Sequence, residues 1–204
     1  MNWHNGEYRP KQKRADEKKG LIIDAALELF AAHGYHGTTA KAIAAHAGVA
    51  TGSFYRYFRD KKAAFMAVCH RMEARLGGRI FEFGWKMRRE GRSEREILTA
   101  IISHAVTSHN RDSAFHREVL AMQMSDPDVA AWTRERETRV LAALSDFLIP
   151  MRDAYRIQDL EAAVELVYYA IEEVSHRAVI FDAPVGQERL VKALQEMLVR
   201  YLFE

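Results

Sequence analysis

GYHGTTAKAIAAHAGVATGSFYRYFRDK, residues 34–61, decides how this chain folds. It reads as two short helices joined by a tight turn. The first starts after Thr38-Thr39 and runs through Ile43 and Ala44 to Ala47. Gly48 supplies the turn, because only glycine adopts positive φ without a Cβ penalty. Val49 tucks into the angle behind it, and a second helix covers Thr51 to Phe58. Two helices joined by a short glycine-containing turn form a helix-turn-helix, whose second helix enters a DNA major groove.

N-terminal to this stretch, Leu21 to His33 follows helical period and ends at Gly34, expected as a left-handed residue just past the helix. Residues 1–17 are polar and carry Arg9, Lys11, Lys13 and Arg14. They are expected to form a flexible basic arm, either entering a minor groove or serving only as a solubilising tail. A helix from Lys61 is expected to continue to Arg88-Arg89, with Gly77-Gly78 as its weak point. Ser93 and Glu96 have capping-box spacing and start a helix that His109-Asn110-Arg111-Asp112 breaks. Another covers residues 113–124. Asp126-Pro127 starts the next, since proline suits a first turn, and Pro150 kinks or ends it. Asp159 caps a long segment to Phe181, and residues 183–186 turn into a last helix with Leu190, Leu194, Leu198 and Leu202 on one face. With about nine helical stretches and no strand-like alternation, the chain is all-α.

The 204 residues are 49% hydrophobic and 28% charged, as in ordinary globular material. Net charge is only +2, but residues 1–62 hold eleven Lys/Arg against six Asp/Glu, and the remainder nineteen against twenty-two. A basic head on a mildly acidic body suits nucleic-acid contact by the head alone. Cys69 is the only cysteine, which excludes an intrachain disulfide framework and fits a reducing cytoplasm. The first ten residues lack the apolar core of a signal peptide, and no apolar run suits a bilayer, so a cytoplasmic protein is expected.

A helix that reads base edges needs little bulk at its start. Thr51, Gly52 and Ser53 provide two hydroxyls and a glycine there, and hydroxyls pair with several bases. Arg56 has the reach for a guanine edge or a phosphate. The phenols of Tyr55 and Tyr57 suit phosphate oxygens. Thr39, opening the preceding helix, is expected to meet a phosphate through its hydroxyl and backbone N–H. Lys41 and Lys61 are expected to add positive charge at the DNA backbone on either side. Phe54 and Phe58 read as core.

The chain resembles the TetR family of bacterial one-component regulators. That family's pattern is met by Gly34, Tyr35, Thr38, Thr39, Ile43, Ala44, Ala47, Gly48, Val49, Gly52, Tyr55, Phe58 and Lys61. The match departs at Ala50, where the family usually has a capping Ser or Thr, so Thr51 is expected to cap one residue later. Ala40 stands where some relatives are basic. The resemblance implies a DNA-binding domain over residues 18–64 and a helical body over residues 65–204 that binds an effector and dimerises through its two C-terminal helices. It implies a double-stranded palindromic operator as partner and release by a small molecule, partly apolar or aromatic. The other reading is a constitutive DNA-binding protein of the same fold.

For the effector, the body offers Trp85, His104, His109, His116, Met122, Met124, Trp132, Tyr168, Tyr169 and His176, with Glu172 and Glu173 near His176. Aromatic and methionine linings with a few polar groups suit a cavity, although such residues at helical spacing also make ordinary cores. No metal site is expected: His104 and His109 are five apart and rotate off a common face, and Cys69 and His70 are adjacent. No cofactor is expected either. No phosphate loop, nucleophile elbow or metalloprotease motif appears, so an enzyme is not expected.

Overall fold

The computed structural model describes residues 10–76, 79–110, 112–181 and 183–204. All regular structure among them is helical, and the chain divides at His70/Arg71 into two compact units.

The first unit holds α1 (Pro10–Gly37), α2 (Ala40–His46), α3 (Thr51–Tyr57) and the start of α4 (Lys61–Leu76). Helices as short as α2 and α3 are not stable alone, so packing must hold them. Ile22, Ala26 and Phe30 of α1 are fully buried with Ile43 and Ala44 of α2, Phe54 of α3, and Ala64, Phe65 and Val68 of α4. Phe30, Tyr35 and Phe65 form an aromatic cluster with ring centroids 5.2–5.8 Å apart. Gly34 interrupts α1 with φ of 71° and ψ of 169°, so the positive φ expected there is present but the backbone is extended rather than left-handed helical. Helix α1 nevertheless begins at Pro10, so residues 10–17 belong to a helix rather than to the expected arm. The rest of that arm, residues 1–9, lies outside the described residues.

The second unit holds the end of α4, then α5 (Arg79–Arg89), α6 (Glu94–Asn110), α7 (Ser113–Gln123), α8 (Pro127–Leu148), a 3-10 turn (Ile149–Ala154), α9 (Leu160–Val179) and α10 (Gln187–Phe203). The helix expected from Lys61 to Arg89 is met by α4 and α5, and Gly77-Gly78 between them falls outside the described residues. The helix starts follow their caps. Ser93 and Glu96 bond reciprocally at 2.9 Å and 3.3 Å. Asp126 accepts from the Asp128 and Val129 N–H groups, and Asp159 from that of Ala162. One core joins α6, α8, α9 and α10 through Ile97, Ile102, Phe147, Val167, Leu198 and Leu202.

Helix α5 joins that core at a close crossing. A Cβ on buried Gly84 would stand 2.8 Å from Ile101 Cδ1 and from two ring carbons of Phe147, itself only 2% exposed. Overpacking of this kind costs about 1–3 kcal/mol, against about 1 kcal/mol of helix propensity gained by replacing glycine. Gly84→Ala is therefore expected to lower the urea midpoint with the slope unchanged, equivalent to at most about 2 kcal/mol.

Candidate nucleic-acid interface and body site

The turn between α2 and α3 is built entirely by backbone bonds. Val49 N–H donates to the Ala44 carbonyl at 2.9 Å and Gly48 N–H to that of Ala45 at 3.1 Å. With Gly48 at φ of 66°, this is a Schellman closure of α2. Helix α3 then starts on Ala50, which makes no side-chain cap. The cap expected from Thr51 does not form, because Thr51 is already the first helical residue and its hydroxyl lies outside the capping position.

Thr51, Gly52, Tyr55 and Arg56 are exposed, and Ser53 and Tyr57 are half-buried. Phe54 and Phe58 turn inward, as expected, at 0% and 5% exposure. A Cβ added at Gly52 meets no protein atom within 4 Å, so nothing inside the fold requires glycine there. Thr39 caps α2 by accepting from Ala42 N–H at 3.1 Å and remains exposed, as does Lys41. Its neighbour Thr38 is buried and donates its hydroxyl hydrogen to the carbonyls of Gly34 and Leu29, tying the end of α1 to the start of α2.

Lys61, expected to bring positive charge to the DNA backbone, is bonded within the fold. Its Nζ donates to the Tyr35 carbonyl at 2.6 Å and the Thr38 carbonyl at 2.8 Å, and lies 4.2 Å from the Tyr35 ring centroid. Burial lowers its pKa from the ordinary lysine value. The ammonium is a clamp on the α1–α2 corner.

In the body, the structure brings together only some of the residues expected to meet an effector. His109 on α6 and Glu172 and His176 on α9 converge, and His116 on α7 joins them. Nε2 atoms of His116 and His176 are 3.1 Å apart, and Glu172 oxygens lie 3.7 Å from Nε2 of both His109 and His176. Arg136 on α8 reaches Glu172 at 3.2 Å. Burial, then the neighbouring His109, His176 and Arg136, push the His116 pKa down to about 2, which keeps it neutral. Burial also lowers that of His176, against the opposing pull of Glu172. Tyr168, buried close by, has its pKa raised by burial and by the Glu172 charge.

Trp85, His104, Met124 and Tyr169 do not share this site. Trp85 packs edge-on against Phe147 in the core, and His104 stacks on Phe83 at 5.5 Å. Met122 and Trp132 are buried on α7 and α8. Met124 is 84% exposed just past α7, where it encloses nothing, and Tyr169 is exposed with its hydroxyl on the Glu137 carboxylate. A separate open groove of about 620 Å³ runs between α6 and α10, lined by Ser103, Val106, Thr107, Val191, Lys192 and Gln195 among others. None of the expected effector residues lines it. The sequence offered little sign of either feature, since the groove is made of ordinary helix-surface residues.

Residues 22–68 match the family model described as bacterial regulatory proteins, tetR family, and residues 95–202 match the tetracyclin repressor-like C-terminal domain. The chain is similar to the fatty acid metabolism regulator protein of Bacillus subtilis, 32% identical over 193 residues, which are 93% of this chain and 96% of that protein. It is 33% identical over 104 residues to the transcriptional regulator AcrR of Shigella flexneri, matching 50% of this chain and spanning about half (48%) of that regulator. For the regulator YuxN of Bacillus subtilis the spanned share is 35%. A TetR-family structure from Mesorhizobium loti superimposes with a TM-score of 0.76 at 19% identity, covering 94% of this chain and 99% of that one. FadR from Bacillus subtilis in complex with stearoyl-CoA gives 0.69 at 24% identity, covering 89% and 98%. These structural likenesses are of fold. No helix among the described residues is long and apolar enough to cross a membrane.

Proposed function

Because the chain belongs to the TetR family of bacterial transcriptional regulators, we propose that it is a repressor: a homodimer that sets two α3 edges on a palindromic operator and lets go when a small molecule binds the body. The observation that carries this reading is the outer edge of α3. Gly52 meets no requirement of the fold, and it sits between two hydroxyl residues at the start of an exposed helix. That is where a backbone approaching a groove floor needs the least bulk. Thr51, Gly52, Ser53 and Arg56 then face bases, while Thr39, Lys41, Tyr55 and Tyr57 hold phosphates and set the register. Lys61 acts from inside, by fixing the corner that carries α2.

Leu166 and Tyr169 of α9 and Met197 and Tyr201 of α10 are 40–51% exposed, on two helices that pack together. These apolar side chains support dimerisation through α9 and α10, in a four-helix arrangement with the partner copy. The name of the Bacillus subtilis relative supports an effector with an apolar part. Release requires only that the effector prefer the non-binding state; a 100-fold preference is worth about 2.7 kcal/mol.

Selection of bound sites from random duplexes tests the reading. It should recover a palindrome whose half-sites are about 34–36 Å apart or a multiple of that. Recovery of unrelated sequences counts against it. On the recovered site, Ser53→Ala should change preference at one or two base positions, by about 1–3 kcal/mol each, and leave the others as they were.

A further inference from the structure

We propose that His109, His116 and His176 form a binding site for one first-row divalent transition-metal ion in the body, with Glu172 beside its fourth corner. The three residues come from α6, α7 and α9, and their ring nitrogens all lie within 4.8 Å of one another. Three imidazoles bound to one tetrahedral ion at about 2.0–2.1 Å hold their ligand nitrogens about 3.3 Å apart and their ring centroids about 5.2 Å apart. Here the His116 and His176 Nε2 atoms are 3.1 Å apart, and the three centroid distances are 5.0, 5.0 and 5.7 Å.

The hydrogen bonds argue for an ion as well. His109 Nδ1 lies 2.8 Å from the Ala105 carbonyl, a contact that places its proton on Nδ1. This is the outer contact that orients a metal-bound imidazole and leaves Nε2 as a lone pair. That lone pair faces a Glu172 oxygen at 3.7 Å, acceptor against acceptor. Between His116 and His176 one ring can donate to the other, so a single hydrogen bond serves three converging nitrogens. A proton on His109 relieves the Glu172 contact alone, whereas a cation at the centre satisfies all three rings and the carboxylate together. Three nitrogens and an oxygen favour zinc, cobalt, nickel or copper over magnesium or calcium. All four side chains are only partly buried, which leaves an ion a way in. Inspection of single helices passes over this site, because its ligands come from three of them and the first and last are 67 positions apart.

This site is independent of how DNA is read, and its test does not use DNA. Metal-free full-length chain is titrated with Co²⁺ and followed by its ligand-field absorption, with Zn²⁺ as competitor. One Co²⁺ per chain with the intense spectrum of a four-coordinate ion, displaced by Zn²⁺, is the expected result. His116→Gln and His176→Gln should each weaken binding about 100-fold or more, a loss at the upper end of that seen even for outer-shell partners. The triple variant H33Q/H36Q/H46Q, which removes exposed histidines, should bind as the wild type does. Should the cluster variants fail to fold, proton NMR of the Co²⁺ form of the wild type still decides, through strongly shifted ring N–H signals from three histidines. No stoichiometric uptake, uptake that survives both cluster substitutions, or uptake lost in the triple variant overturns the proposal.

Discussion

Replacing Leu166 and Met197 together by glutamate is expected to turn the proposed dimer into a monomer and to weaken operator binding by about 10²–10⁴-fold, the range that linking two binding modules supplies. Both side chains are about half exposed, at 49% and 51%, so neither contributes much to the body's own core. The helices that carry them are held from the other face by Val164, Val167, Leu194 and Leu198. The variant should therefore melt cooperatively at low concentration like any folded domain. Two new carboxylates on each copy would meet two more across a two-fold axis, and like charges brought together out of water are strongly unfavourable. Sedimentation and fluorescence anisotropy on the same sample separate the outcomes. A monomer with weak binding supports the account. A dimer with unchanged affinity places the interface elsewhere.

Lys61→Met is expected to destabilise the N-terminal unit by about 2 kcal/mol while leaving the salt dependence of DNA binding by the folded fraction unchanged. Its ammonium donates to two carbonyls at 2.6 Å and 2.8 Å and covers the Tyr35 ring. Hydrogen bonds to a charged donor are worth about 1.5–3 kcal/mol each. Partial exposure of the site lets water replace part of that, which brings the two bonds together down to about the value of one. Methionine keeps the apolar stem and removes only the charge. Lys41 provides the contrast, since it is exposed on α2. Lys41→Ala should leave stability unchanged and reduce the slope of log affinity against log salt by about 1, as loss of one phosphate contact does. If Lys61→Met instead reduces the slope without loss of stability, Lys61 faces the DNA and the clamp is secondary.

Signals that act within one turn of chain were legible in the sequence. The reciprocal Ser93–Glu96 cap, Asp126-Pro127, Asp159, the break at Pro150, and positive φ at Gly34 and Gly48 all depend on neighbours three to five residues away. Phe54 and Phe58, one helical turn apart, also read as core. What the sequence concealed is long-range. Lys61 reads as a surface charge until the Tyr35 and Thr38 carbonyls are seen beside it, 26 and 23 positions away in the chain. The polar look of residues 10–17 suggested an arm, yet exposed helices are polar too, and α1 extends back over them. Met124 and Tyr169 have pocket-like chemistry, but helix rotation and a helix end turn them to solvent. The histidine cluster has no local pattern at all, because tertiary packing assembles it.

If paired α3 edges read a specific duplex, affinity for an intact palindrome should differ from that for the same duplex with one half-site scrambled. At physiological salt the intact site should bind two chains and exceed a fully scrambled duplex by about 10³-fold or more. The half-scrambled duplex should fall well below the intact one. Equal, strongly salt-dependent affinity for all three duplexes, the behaviour of a merely cationic surface, would contradict the account.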